Sequence, residues 1–89
     1  MGAPKVIVYG ADWCGYCARA RALLQAKGVA IEWIDTDAVP GARREAQARS
    51  GRSTIPQIFI GERHVGGADD LAALEADGRL DSLLQSTEP

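Results

Sequence analysis

Only two residues of this chain are cysteine, Cys14 and Cys17, and only one, His64, is histidine. A fold held by several disulfides is therefore excluded, and a lone pair in a reducing compartment points to catalysis, redox exchange or metal binding rather than to a staple. A structural zinc site usually takes four ligands, which two cysteines and a distant His64 do not supply. Charge of one sign is also missing. Ten Lys and Arg stand against twelve Asp and Glu, a formal net charge of -2, and the arginines are scattered. That balance lacks the basic footprint of a nucleic-acid binder. There is no long apolar run either. Val6-Ile7-Val8-Tyr9 stops at Gly10, far short of a signal-peptide core or a membrane span, so a cytoplasmic protein without membrane contact is expected. Gly2 suggests myristoylation, but Val6 stands where that signal requires Ser or Thr.

What is present is an ordinary globular composition, 46% hydrophobic and 25% charged, sized for one small domain over residues 1–89. No repeat, linker or low-complexity tract divides it. Residues 6–9 are β-branched and aromatic and read as a buried strand, broken by Gly10-Ala11-Asp12. Over residues 15–27, Cys17, Ala20, Leu23 and Leu24 recur at helical spacing, with Arg19, Arg21 and Gln25 off that stripe and Gly28 as the stop. Residues 29–34 read as a second strand, and 40–49 as a weaker, arginine- and alanine-rich helix begun by Pro40.

Residues 55–60 form a strand opening at Pro56, and Gly61-Glu62-Arg63 turns it into a short partner, His64-Val65. Gly66-Gly67 ends the hairpin. Asp69-Asp70 begin a helix over 71–76 with Leu71, Leu74 and Ala72 inward, and 79–84 form a last short helix before a frayed 86–89. The order βαβαββα, with that last helix appended, predicts an α/β fold. Strands one and two are parallel through a right-handed crossover, three and four add as an antiparallel hairpin, and helices flank the four-stranded mixed sheet.

The cysteines stand at the first strand-to-helix junction, outside the carboxyl end of the strand, where α/β sheets tend to place ligands. Backbone N–H groups at a helix start have no intrahelical acceptor and favour an anion, so Cys14 is the expected thiolate nucleophile of disulfide exchange. Cys17, one turn on and on the same face, can attack a disulfide formed at Cys14. The plain alternative is two small buried hydrophobes that happen to lie three apart, which leaves the strand–turn–helix setting unexplained.

Three segments, Trp13-Cys14-Gly15-Tyr16-Cys17, Thr54-Ile55-Pro56-Gln57-Ile58-Phe59-Ile60 and Gly66-Gly67-Ala68-Asp69-Asp70-Leu71, together resemble the glutaredoxins, small thioredoxin-fold proteins that use glutathione. The chain looks most like the bacterial dithiol type, and the likeness runs over residues 5–84. The resemblance implies that Cys14 takes glutathione from a mixed disulfide and that Cys17 resolves. It implies a cis Ile55-Pro56 bond presenting the Ile55 backbone to the cysteinyl part of glutathione, with Tyr16 as an aromatic wall. The γ-glutamyl end would lie at Gly67, Ala68 and Asp69, free N–H groups taking its carboxylate and Asp69 its ammonium. Arg52 falls where the family often has a polar partner for the glycine carboxylate. There are two departures. The family's usual lysine three residues before the first cysteine is Ala11 here, which moves the clamp toward Arg52. Gly15 replaces the commonest proline, restores an N–H donor beside Cys14, loosens the turn and approaches relatives that bind iron–sulfur clusters.

The implied function is a glutathione-dependent thiol–disulfide oxidoreductase, monomeric, reducing protein–glutathione mixed disulfides and protein disulfides. One alternative is a homodimer holding a [2Fe–2S] cluster through Cys14 of each subunit and two glutathione thiols; another is a redoxin for a different low-molecular-weight thiol. Other residues take plainer readings. Trp13 is either a substrate contact or an apolar residue packed on the first helical turn. His64 is an exposed edge position away from every motif, Arg43, Arg44 and Arg49 a solvated helix face, Asp35 and Asp37 a strand end and a cap. Asp12 would oppose a thiolate at Cys14 unless it points away.

Overall fold

The computed structural model describes residues 4–85; the fraying expected over 86–89 lies outside that range. The elements are β1 (Val6–Gly10), α1 (Gly15–Ala26), β2 (Ile31–Asp35), α2 (Ala42–Ser50), β3 (Gln57–Ile60), β4 (Arg63–Gly66), α3 (Ala68–Ala76) and α4 (Leu80–Gln85). The sheet order is β2-β1-β3-β4. β1 pairs in parallel with β2, Val6 opposite Ile31, and antiparallel with β3, Val6 opposite Ile60 and Tyr9 opposite Gln57. β3 and β4 close as an antiparallel hairpin whose register shifts between Ile58 and Phe59. This is the mixed sheet of a thioredoxin-like fold.

Because side chains alternate across a sheet, the central strands feed two cores. Val6, Val8, Ile58 and Ile60 pack against Ala20 and Leu24 of α1, Leu71 of α3 and the leucines of α4. On the opposite face Tyr9 and Phe59 pack against Ala46 of α2. Leu24, Ile58, Leu71 and Leu80 are fully enclosed, and each contributes about 1.5–3 kcal/mol of transfer free energy. Lys27, at the end of α1, reaches Glu75 and Asp81, each at 2.8 Å, and so fastens α1 to the last two helices.

Several local expectations shift. β2 begins at Ile31 because pairing with β1 begins there. Pro40 does not begin α2. It sits inside a turn closed by the Ala42 N–H on the Val39 carbonyl, with Gly41 at φ 81°, the geometry of a type II turn with proline and glycine at its centre. Ala72 is exposed, since α3 buries only Leu71 fully.

Arg49 is not simply solvated. Its guanidinium lies 4.3 Å from the Phe59 ring centre and donates to the Tyr9 hydroxyl at 2.8 Å, while that hydroxyl donates to Glu45 at 2.7 Å. His64 is half-buried rather than exposed. Its ring lies 4.9 Å from that of Phe59, and its Nε2 is 2.7 Å from Gln57 Oε1.

Gly66 joins β4 to α3 at φ 119°, and a Cβ there would collide with the Asp70 side chain. Gly66→Ala is expected to lose at least about 1 kcal/mol and to lower Tm by about 4–8 °C or more. An unchanged calorimetric Tm would contradict this account of the junction.

Candidate redox active site

Cys14 is the N-cap of α1, at φ -91° and ψ 117°, and its Sγ accepts the Cys17 N–H at 3.3 Å. The Cys14 N–H donates to the Ala11 carbonyl at 3.2 Å, a turn that delivers the sulfur to the helix start. The amide that reaches the sulfur is therefore that of Cys17, not Gly15. Gly15 is the first helical residue, and open space surrounds its Cα. With Cys14 extended, proline would also fit at that position, so the backbone does not require glycine.

Neither cysteine is in a disulfide. Cys14 is 8% exposed and Cys17 0%. Burial, and then the adjoining Cys14 sulfur, push the Cys17 thiol up to about 12. Cys17 is thus held protonated, and of the two cysteines only Cys14 keeps any exposure. Ala11, at the position of the family's lysine, is 1% exposed and packs with both cysteines beneath Trp33 and Ile55.

Across from Cys14 runs the segment before β3. The Ile55 carbonyl lies 4.0 Å from Cys14 Sγ, and Ile55-Pro56 is cis. Gly67, the N-cap of α3, lies so close to the Pro56 carbonyl that a Cβ would be 3.5 Å from it. The start of α3, with first-turn amides that have no partner inside the helix, therefore adjoins the Pro56 turn. Tyr16 is 57% exposed beside the sulfur's helix turn, with Arg19 over its ring.

The carboxylate engaged at this corner is Asp70 rather than Asp69. Asp70 Oδ2 accepts the Gly67 N–H and the Arg52 guanidinium, both at 2.9 Å, and these two bonds, the backbone one first, hold its carboxyl below the usual range. Asp69 is exposed. His64 is not remote either, since burial and then the nearby Arg52 charge lower its basicity.

Trp13 is 70% exposed, and its indole N–H donates to Asp37 at 2.6 Å, so it does not pack on the first helical turn. That bond is the main reason the Asp37 carboxyl is held low. The cap-like acceptor is Asp35, whose Oδ1 takes the N–H groups of Asp37 and Ala38. Asp12 is exposed and lines a shallow depression with Arg21, Gln25 and Trp33, to which Cys14 does not contribute. Among the described residues no group of three potential metal-ligating side chains converges.

Sequence reasoning passed over Asp70, Asp37 and Gln57. Only Gln57 carried a signal, a polar residue opening an otherwise apolar strand.

A thioredoxin-like sheet with a slightly exposed and a fully enclosed cysteine at a helix start is the arrangement of thiol–disulfide oxidoreductases. The glutaredoxin family model matches residues 6–65. Over 83 residues the chain is 52% identical to a glutaredoxin of Pseudomonas aeruginosa, covering 93% of this chain and 99% of that one. A solved structure described as metal binding of glutaredoxins is 55% identical, with TM-score 0.72 over 98% of this chain and 95% of that chain. A buckwheat glutaredoxin–glutathione complex has TM-score 0.84 at 29% identity, over 92% and 76% respectively. The chain belongs to the glutaredoxin family.

Iodoacetamide near neutral pH is expected to label Cys14 and spare Cys17 until the protein is unfolded, as read by peptide mass. Equal labelling of the native protein would contradict the assignment. Because the Cys17 thiol is raised on folding, its contribution to stability is complete below the ordinary thiol range and is lost as pH rises toward about 12. Cys17→Ala should remove that alkaline loss.

Proposed function

We propose that this glutaredoxin-family oxidoreductase depends on glutathione and reduces protein–glutathione mixed disulfides, with residues 1–89 acting as one cytoplasmic, monomeric domain. The observation that carries this reading is the Cys14 sulfur 4.0 Å from the Ile55 carbonyl, on a backbone edge that continues to the start of α3. The likeness to a glutaredoxin crystallised with glutathione supports it. In this reading the Ile55 backbone beside Pro56 meets the cysteinyl part, the Ala68 and Asp69 amides next to Gly67 take the γ-glutamyl carboxylate, and the Asp69 carboxylate takes its ammonium. Arg52 takes the glycine carboxylate, sharing its charge with Asp70. Tyr16 forms the outer wall. Among the described residues no helix is long and apolar enough to cross a membrane.

The thiolate of Cys14 attacks the glutathione sulfur of the mixed disulfide. The old S–S bond breaks, the protein thiolate leaves and takes a proton from water, and glutathione remains disulfide-bonded to Cys14. A second glutathione thiolate attacks that glutathione sulfur, releasing glutathione disulfide and the free Cys14 thiolate. With a protein disulfide as substrate, Cys17 gives up its proton and displaces the substrate sulfur from Cys14, leaving a Cys14–Cys17 disulfide for glutathione to reduce.

Cys14→Ser is expected to abolish reduction of a glutathionylated peptide, whereas Cys17→Ser retains a sizeable part of it. Complete loss in both variants would overturn the single-thiol step.

A second reading, a [2Fe–2S]-bridged homodimer, draws on the similar structure described by metal binding. Such a cluster takes four ligands. With Cys17 enclosed, this chain offers only Cys14, so the remainder would come from a second chain and two glutathione thiols. Anaerobic reconstitution with iron, sulfide and glutathione tests it: a coloured dimer is expected, and a colourless monomer rejects it. No observed feature favours a redoxin for another low-molecular-weight thiol.

A further inference from the structure

Gln57 is a polar side chain in the most enclosed part of the sheet. It opens β3 opposite Tyr9 and is 0% exposed, and the three residues that follow it in the strand are apolar. A buried primary amide loses about 1–3 kcal/mol for each group left without a partner, and this one leaves none. Its Nε2 donates to the Thr54 carbonyl at 3.0 Å and to the Thr54 hydroxyl at 3.2 Å, and its Oε1 is 2.7 Å from His64 Nε2. The His64 ring, leaning on Phe59, occupies the oxygen end of the amide and so turns both amide hydrogens toward Thr54.

Thr54 is exposed and belongs to no helix or strand. Among the described residues the segment between α2 and β3 is tied by Arg52 to Asp70 across the fold and by Gln57 to Thr54 locally, three positions apart, besides the contact of Cys14 Sγ with the Ile55 carbonyl. Ile55 lies between the second link and Pro56, and its own N–H finds no partner among the described residues. The backbone group nearest the reactive sulfur is therefore held in place by a side chain from inside the sheet.

We propose that Gln57 is a positioning residue: its buried amide, oriented by His64, holds the Thr54-Ile55 backbone where a substrate's peptide backbone meets the Cys14 sulfur. The inference rests on the glutathione reading and adds to it the element that sets the height of the binding edge. Gln57 touches neither substrate nor sulfur. Its loss should weaken recognition of the peptide-like portion of glutathione without altering the sulfur chemistry.

The test uses a glutathionylated peptide and the same peptide carrying a mercaptoethanol disulfide, which has no backbone for Ile55 to bind. Gln57→Met keeps the volume and removes all three bonds. KM for the glutathionylated peptide should rise roughly five-fold, with kcat, the iodoacetamide reactivity of Cys14 and KM for the mercaptoethanol peptide unchanged. Hydrogen exchange over residues 52–56 should quicken. Thr54→Val, at an exposed position that should not impair folding, removes only the hydroxyl bond and should give a smaller rise in the same KM. Unchanged KM in both variants, or equal rises for both peptides, overturns the inference while leaving the glutathione reading intact. If Gln57→Met does not fold, the Thr54→Val result decides. A wild-type protein that treats the two peptides alike overturns the glutathione reading, and this inference falls with it.

Discussion

The antiparallel pairing of β1 with β3 is the constraint on which the site depends. β1 runs out at Gly10 toward Cys14, and β3 starts just after Pro56; with Tyr9 opposite Gln57, those two ends lie side by side. A sulfur and a carbonyl 41 positions apart in sequence meet at 4.0 Å as a result. Both faces of β1 are covered, so its register is tightly specified. A slip of one residue would send Tyr9 into the space of Val8 and exchange the two cores.

Much of this was legible in the sequence because it is local. The β-branched run of β1, the helical spacing of Cys17, Ala20 and Leu24, and the glycine stop at Gly28 each reflect a short-range preference of the backbone. The strand–cysteine–helix junction was legible for the same reason, whereas local pattern took Ile55 and Pro56 into a strand that begins at Gln57, and only the family resemblance implied their cis bond. Residue roles that depend on contacts between elements were not. Arg49 reads as one of several arginines on a weak helix, and only the packing of α2 on the sheet brings it over Phe59. His64 reads as an edge residue until β4 folds its ring against Phe59 and toward Gln57.

That Asp70, and not its neighbour Asp69, turns back to Gly67 and Arg52 is a matter of helical phase. Adjacent residues on a helix are turned about 100° apart, and the exact start of α3 decides which carboxylate turns back toward Gly67 and Arg52. The starts of α2 and α3 are both set by glycines, Gly41 in a left-handed turn and Gly67 in an extended one. Sequence pattern reads the interior of a helix better than its first residue, because the cap is chosen by the loop that enters it.

The Cys14 sulfur both reacts and caps α1, accepting the Cys17 N–H. Capping groups of this kind contribute about 0.5–2 kcal/mol to a helix. A sulfur drawn into a disulfide is a poorer acceptor than a free one, so disulfide formation at Cys14 weakens the cap on α1 and release restores it. Thermodynamic linkage makes the relation reciprocal: whatever tightens the first turn of α1 favours the free Cys14 sulfur over its covalent adducts. Folding of the helix and release of a disulfide partner from Cys14 are thereby coupled through one atom.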